Sequence, residues 1–258
     1  MCLLVLAWKA HPRFRLILAA NRDEYHDRPS LPLAKLDDHD TILAGRDLRA
    51  DGTWLAVDRE RCVGVITNYR DLQPPLPGAP SRGNLIPAYL TGTLCPAKFA
   101  AALEPDAARY SGFNLLLADQ DSLWYVSNRA EHFACVLSPG VYGLSNQLLD
   151  TPWPKLGRVR RRFEELLHSA RPSPTALLDM LGDRAPSIPE EASPSPGIPA
   201  DLSRALSAPF VLHPEYGTRC STIVLIEESN ALHVIERSFN NEGEAVGDST
   251  FDFGAGRW

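Results

Sequence analysis

The sequence predicts an α+β fold in which helices cover antiparallel sheets. Short apolar runs rich in β-branched residues come in pairs joined by polar turns, which is the pattern of β-hairpins. Helix-forming segments stand between these pairs, so the chain lacks the strand–helix–strand alternation of a parallel sheet. The chain has 258 residues, of which 44% are apolar, and this is enough to bury a large core.

The first hairpin is predicted at the beginning of the chain. Two apolar runs, 3–8 and 14–20, are separated by turn-forming residues. The polar segment 21–32 follows, and because it contains two prolines we expect a loop that leaves the second strand. In an antiparallel pair of these runs, Cys2 lies opposite the end of the second run. The loop therefore reaches the amino terminus.

The rest of the chain continues in the same way. Further strands are predicted at 53–57, 62–67, 113–118, 123–127, 141–144, 221–226 and 231–236. Helices are predicted at 85–90, 97–103 and 155–171, the last being the longest.

Two proline-rich segments are predicted to be surface loops. Residues 74–80 contain four prolines, and residues 186–199 contain five together with Ser, Glu and Gly. Such a composition cannot pack a core. We therefore expect a single domain over residues 1–258 that carries a proline-rich loop at about 186–199.

Charge and cysteine usage limit the possible partners. The 26 Lys and Arg residues against 32 Asp and Glu residues give a net charge of −6, which supplies no counterion release on nucleic acid or an anionic membrane. The five cysteines are odd in number and widely spaced, as in reduced intracellular proteins. No apolar run approaches the roughly 20 residues of a membrane helix, and the first residues lack the features of a secretory signal. These observations predict a cytoplasmic protein without a nucleic-acid partner or a membrane-spanning segment.

Cys2 is the first candidate for chemistry. It follows Met1, and removal of Met1 would place a thiol and a free α-amine on one residue. An α-amine has a pKa of about 8, so it is a general base at neutral pH beside its own nucleophile. The alternative interpretation is a buried small apolar residue at the start of a strand, which is the commoner role of cysteine.

The predicted loop that begins Asn-Arg-Asp-Glu at residues 21–24 is the second candidate. A carboxylate such as Asp23 can bind the α-ammonium, while a cation such as Arg22 lowers the pKa of a nearby thiol. The alternative is a polar loop whose charges pair with each other and have no chemical part.

These four residues are also the signature of the NRDE family, whose best-known members are the transport and Golgi organisation 2 proteins of eukaryotes. Other matching motifs are AGRD (44–47), GTWL (52–55), TNYR (67–70), SRG (81–83), GFNLL (112–116), SNR (127–129), GLSN (143–146), LDTPWPKL (149–156) and YGTRCST (216–222). Because the matches extend from Cys2 to about Phe239, the chain is identified as a member of this family.

More distantly, the layout resembles the N-terminal-nucleophile hydrolases of the penicillin V acylase and bile-salt hydrolase group. That resemblance implies a four-layer αββα sandwich of antiparallel sheets, in which an N-terminal cysteine attacks a linear amide. It implies Cys2 as nucleophile and base, with Arg22 and Asp23 at the thiolate and amine and Arg219 supporting the site. Arg22 and Asp23 are adjacent here, whereas that group separates the two residues.

The same resemblance implies a role for neutral amide side chains. Asn146 falls where that group places an oxyanion-hole asparagine, and Asn68 matches a second polar contact; a neutral donor stabilises the developing charge. Asn21, Asn68, Tyr69 and Trp54 are implied as substrate-binding residues. The asparagines can instead end strands by bonding their own backbone, and Trp54 can instead fill the core.

Two functions remain open at this point. The first is a cysteine amidohydrolase that acts on a non-peptide C–N bond of a small amide. The second, which the family resemblance implies, is a non-catalytic protein that binds and traffics haem, lipid or acyl-coenzyme A. No metal site or obligatory cofactor is predicted, because the histidines lack metal-like spacing; His26 is the histidine nearest the candidate site.

Overall fold

The paired apolar runs of the sequence form antiparallel strands in the structure, a computed structural model that describes residues 2–37, 39–71, 78–187 and 198–258. In chain order the strands are β1 (Cys2–Trp8), β2 (Phe14–Tyr25), β3 (Ser30–Leu36), β4 (His39–Asp47), β5 (Leu55–Asp58), β6 (Val63–Asn68), β7 (Phe113–Ala118), β8 (Leu123–Ser127), β9 (Ala134–Val136), β10 (Gly140–Leu144), β11 (Tyr216–Glu227), β12 (Leu232–Phe239) and β13 (Ala245–Phe253). The α-helices are α1 (Leu85–Leu90), α2 (Pro96–Leu103), α3 (Pro154–Leu167), α4 (Pro174–Leu181) and α5 (Ala200–Leu206). This confirms the predicted α+β class with antiparallel sheets.

The chain divides into two compact units. The first contains Met1–Asp27, Pro139–Ser145 and Leu149–Ala255, and the second contains Arg28–Ser138, Asn146–Leu148 and Gly256–Trp258. The six-stranded sheet of the first unit has the order β10-β1-β2-β11-β12-β13, and the seven-stranded sheet of the second follows chain order from β3 to β9. The expectation of a single domain over 1–258 stays a prediction.

The first sheet packs one face against two helices. Leu3 and Val5 alternate along β1 and lie in one apolar cluster with Leu156 and Phe163 of α3 and Leu177 of α4. Because successive side chains of a strand point to opposite faces, the even-numbered residues of β1 lie on the other face of the sheet. Cys2 therefore lies on the face opposite to α3 and α4.

The second sheet has its own core. β7 supplies Phe113, Leu115 and Leu117 to this core. They pack against Ile86 of α1 and Ala100 of α2. Each unit thus buries an apolar sheet face under helices, as expected for a layered α+β protein.

The structure corrects the predicted loop at 21–32. β2 continues to Tyr25, so the segment 21–24 is the end of a strand. The strand continues because residues 21 and 22 pair with both β1 and β11, and residues 23–25 pair with β11. A polar sequence alone does not reveal such a partner.

Other boundaries also differ from prediction. α3 ends at Leu167 and not at residue 171, because a proline at 172 disfavours helix in the residue before it. Strands β3, β4, β9 and β13 and helices α4 and α5 were not predicted. Of these, β3, β9 and β13 are edge strands, where weak burial leaves little apolar periodicity. Parts of the two predicted proline-rich loops, residues 74–77 and 188–197, lie outside the described residues.

Candidate active site

Cys2 and Arg22 face each other across two neighbouring strands. Cys2 of β1 is the direct antiparallel partner of Arg22 of β2, and Arg22 is in turn the partner of Cys220 of β11. Directly opposed residues share a face of the sheet, so these three side chains form a row on one face. Cys2 is partly exposed, whereas Arg22 is 5% exposed.

The surroundings of the Cys2 sulfur both raise and lower the pKa of its thiol. Burial raises the pKa of the thiol, and the nearby Asp23 carboxylate raises it further. The positive charge of the amino terminus opposes this most strongly by lowering the thiol pKa, and the charge of Arg22 and a hydrogen bond from the backbone N–H of Asp23 lower it further. Since the net shift is upward, the sulfur is held as a thiol at neutral pH, and nucleophilic attack requires a base.

Asp23, the residue after Arg22, is a buried carboxylate close to Cys2. Its side chain is 1% exposed, and Oδ1 accepts a 2.7 Å hydrogen bond from Oγ1 of Thr218. Burial raises the pKa of Asp23, while the positive charge of the amino terminus, that of Lys155, the Thr218 hydrogen bond and the charge of Arg22 lower it. The Tyr216 hydroxyl donates a 2.7 Å hydrogen bond to the backbone oxygen of Asp23 and fixes this end of β2.

A register shift in β11 lets this strand pair with both Arg22 and Asp23. Arg22 pairs with Cys220 and Asp23 pairs with Thr218, so Arg219 is the extra residue of a β-bulge. Nη1 of Arg219 donates 3.1 Å hydrogen bonds to the backbone oxygens of Tyr25 and His26. Burial lowers the pKa of Arg219, and the neighbouring charge of Arg22 lowers it too. Arg219 therefore lies next in the chain to Cys220, the strand partner of Arg22, and its supporting role at the site stays a prediction.

Asn21 has a structural set of hydrogen bonds. Its Nδ2 donates to the backbone oxygens of Leu181 and Pro209, both at 3.0 Å, and its Oδ1 accepts from Ser221 at 2.6 Å. The side chain is 1% exposed and joins β2 to the end of α4. Its assignment as a substrate-binding residue stays a prediction.

The other predicted site residues belong to the second unit. Nδ2 of Asn146 donates a 2.9 Å hydrogen bond to the backbone oxygen of Asn68, which ends β6. Asn146 is 3% exposed, and its backbone oxygen accepts a 2.7 Å hydrogen bond from the backbone amide of Arg70. The preceding residue, Ser145, lies in the first unit and donates a 3.1 Å hydrogen bond to the backbone oxygen of Cys2.

Tyr69 and Trp54 are held by backbone and packing contacts. The Tyr69 amide donates a 3.0 Å hydrogen bond to the Gly112 oxygen. The ring of Trp54 lies where a side chain on Gly45 would be, 2.1 Å from an ideal Cβ. Their substrate-binding roles, and the oxyanion role of Asn146 and Asn68, stay predictions.

Two buried residues near Asp23 were missed. Thr218 stands in the YGTRCST motif, whose match to the family was a signal for it. Lys155 is 4% exposed, and its Nζ donates a 2.9 Å hydrogen bond to the backbone oxygen of Leu206. A lysine is almost always exposed, so only its place in the LDTPWPKL motif pointed to it.

Within the described ranges, no group of three or more His, Cys, Asp or Glu residues is placed to hold a metal ion. Nε2 of His26 donates a 3.0 Å hydrogen bond to the backbone oxygen of His213. In the same part of the chain, helices of the length and apolarity needed to cross a membrane are not found. A cytoplasmic location stays a prediction.

Comparison with solved structures shows which fold the two sheets build. The structure of penicillin V acylase from Agrobacterium tumefaciens matches with a TM-score of 0.52 and 10% sequence identity, over 99% of this chain and 93% of that chain. At this low identity the likeness shows the fold alone. The fold is that of the N-terminal-nucleophile hydrolases, as the sequence resemblance implied.

Sequence comparison shows the family. The chain is 34% identical to the mouse Transport and Golgi organization 2 homolog and 35% identical to the human Transport and Golgi organization protein 2 homolog, in each case over 92% of this chain and 93% of the relative. A family model described as Transport and Golgi organisation 2 matches residues 1–241. The chain therefore belongs to the Transport and Golgi organisation 2 family.

Proposed function

We propose that this protein is a cysteine amidohydrolase that cleaves a linear, non-peptide C–N bond with Cys2 as its N-terminal nucleophile. The observation that carries the proposal is the pairing of Cys2 with Arg22, with the Asp23 backbone amide directed at the sulfur. Support for the bond type comes from the likeness to an enzyme whose name describes a penicillin V acylase.

The proposed reaction begins with removal of Met1, which frees the α-amine of Cys2. The neutral amine accepts the thiol proton, and the sulfur attacks the amide carbonyl. The C–N bond then breaks, and the leaving amine takes the proton from the α-ammonium. The product is a thioester on Cys2, which water hydrolyses to a carboxylic acid and free thiol.

The electrostatics explain why a base on the same residue is required. Because burial and Asp23 hold the Cys2 pKa above its usual value, the thiol does not ionise by itself at neutral pH. The carboxylate of Asp23 favours the protonated α-ammonium that forms when the amine takes the thiol proton. Arg22 instead favours the thiolate. Asp23 thus stabilises the ammonium and Arg22 the thiolate of the ion pair that this proton transfer forms.

The family resemblance assigns the oxyanion donor to Asn146, with Asn68 as a second contact, and this assignment stays a prediction. The basis for this assignment is the family resemblance, together with the rigid hold on Asn146 through its backbone oxygen and its side-chain amide. Rigid neutral donors are what such a site requires, because they stabilise charge without reorganising.

The test combines mass spectrometry with an amide panel. Purified protein is analysed intact for loss of Met1, then incubated with penicillin V and a series of N-acyl 4-nitroanilides of different acyl length. We expect a free amino-terminal Cys2, released amine, and a transient acyl mass on the Cys2 peptide. Cys2→Ala should abolish both the released amine and the acyl mass, while Cys95→Ala, at an exposed cysteine, should leave them unchanged.

Two results would overturn the proposal. One is a protein that retains Met1 and still hydrolyses the panel; the other is a processed protein that forms no acyl adduct with any member. The alternative implied by the family, binding of haem, lipid or acyl-coenzyme A without turnover, is tested by titrating the same preparation with haem and with an acyl-coenzyme A. Saturable binding without acylation of Cys2 would favour that alternative.

A further inference from the structure

A buried carboxylate lies in the sheet that holds Cys2. Glu236 of β12 is 1% exposed, and its Oε2 accepts a 2.8 Å hydrogen bond from Oγ1 of its strand partner Thr222. A hydrogen bond also joins Glu236 to the thiol of Cys220, whose pKa burial raises well above its usual value. The burial of an ionised carboxylate normally requires a nearby cation as well as hydrogen-bond donors.

The register of the strands places Glu236 on the same face as Arg22. Cys220 is the partner of Arg22, and Thr222, two residues further along β11, is the partner of Glu236. Residues that oppose each other, and residues two apart in a strand, share a face. With strands about 4.8 Å apart and a rise of about 3.4 Å per residue, the Cα atoms of Arg22 and Glu236 are about 12 Å apart, a span that the two long side chains can bridge.

The other charges near Cys2 divide between the two faces. Asp23 and Lys155 belong to the helix-covered face. Glu24 shares the face of Arg22, but it is half-buried and interacts with Arg219, the bulge residue. Glu236 is therefore the fully buried carboxylate that the sheet places on the face of Arg22.

We infer that Glu236 is a positioning residue whose carboxylate balances the Arg22 guanidinium and so limits the effect of this cation on the Cys2 thiol. The inference rests on the proposed function, because it assigns Glu236 to the same nucleophile. On this face of the sheet, β2 with Arg22 lies between β1 with Cys2 and β12 with Glu236. The Arg22 side chain is therefore the group through which Glu236 acts. With Glu236 ionised, less of the Arg22 charge stabilises a thiolate at Cys2.

The test measures the thiol pKa of Cys2 without any substrate. The rate of alkylation by iodoacetamide is followed from pH 6 to 10 on the Cys2 peptide by mass spectrometry, with the exposed Cys95 as internal reference. Glu236→Gln should lower the Cys2 pKa by about half a unit or more, since removing a buried negative charge leaves Arg22 uncompensated. Glu24→Gln, on the same face but half-buried, should give a smaller shift.

A second background separates action through Arg22 from a direct effect. In Arg22→Gln protein, the additional change Glu236→Gln should leave the Cys2 pKa unchanged. An unchanged or raised pKa in the single variant overturns the inference, as does a shift that persists without Arg22.

Stability provides the readout if Glu236→Gln folds poorly. The double variant Arg22→Gln/Glu236→Gln removes both charges and should melt at a higher temperature than Glu236→Gln alone. A double variant no more stable than the single variant overturns the inference. Because alkylation requires no turnover, a shift in the Cys2 pKa together with an inactive amide panel would reject the proposed hydrolysis and retain the role of Glu236.

Discussion

The hydroxyl of Tyr125 donates a 2.6 Å hydrogen bond to Oδ1 of Asn114, and both side chains are buried. Nδ2 of Asn114 in turn donates to Oγ1 of Thr67 at 3.3 Å and to the backbone oxygen of Gln147 at 2.9 Å. The amide is thus bonded at both ends. This network fastens the residue that follows Asn146 to strands β6, β7 and β8.

Tyr125→Phe should destabilise the protein by about 1–3 kcal/mol, because it leaves Oδ1 of Asn114 buried without this donor. The free energy of unfolding in urea measures the effect. Tyr110→Phe is the matched control, since in the described part of the chain the Tyr110 hydroxyl makes no hydrogen bond and only its ring packs, against Phe113. Equal losses in the two variants would contradict the prediction.

Gly45→Ala should also destabilise, by about 1–3 kcal/mol, because the new methyl group overlaps the Trp54 ring. The ring must move, and with it the packing of β4. Gly157→Ala is the control on α3, where an added Cβ meets no atom within 4 Å and should instead stabilise by up to about 1 kcal/mol. If the urea midpoints of both variants shifted from wild type in the same direction, packing at Gly45 would not be the cause.

The raised pKa of the Asp58 carboxyl predicts that the stability of the protein depends on pH. Burial raises the pKa of its carboxyl from 3.8 to about 6, against hydrogen bonds such as that from the Cys62 amide. Between these pH values the folded state binds more protons than the unfolded state, so stability falls as the pH rises. The contribution of Asp58 to the free energy of unfolding should decrease by about 3 kcal/mol over this window.

Asp58→Asn should remove this contribution while keeping an oxygen that can accept from Cys62. The difference in unfolding free energy between wild type and variant, measured at pH 4 and at pH 7, checks it. We expect the variant to gain relative to wild type as the pH rises. A pH-independent difference would show that Asp58 titrates normally in the folded protein.

Lys155→Met should destabilise more at pH 8 than at pH 5. The variant lacks a buried cation whose charge lowers the Asp23 pKa, and leaving an ionised carboxylate buried without its cation typically costs about 3–5 kcal/mol. At pH 5 more of Asp23 is protonated, so less is lost. Thermal melts at both pH values measure this, with Lys98→Met at an exposed site as control; a loss independent of pH would assign Lys155 a packing role only.

Local patterns in the sequence were sufficient for the family, the α+β class and the first hairpin. The apolar runs on either side of a polar turn defined β1 and β2, and the hairpin geometry brought Cys2 opposite the end of β2, where Arg22 is its partner. These features depend on residues close together in the chain, so periodicity and turn composition carry them.

The sequence did not reveal that the Asn-Arg-Asp-Glu segment is a strand, or that Lys155 and Glu236 are buried. Each of these facts depends on a distant partner: β11 covers the end of β2, the backbone oxygen of Leu206 accepts from Lys155, and Thr222 donates to Glu236. A charged residue is placed in the interior when the folded chain supplies groups that offset its lost hydration, and those groups come from far away in the sequence. The residue types at the site were therefore readable from the chain, whereas their protonation and their faces were decided by the tertiary structure.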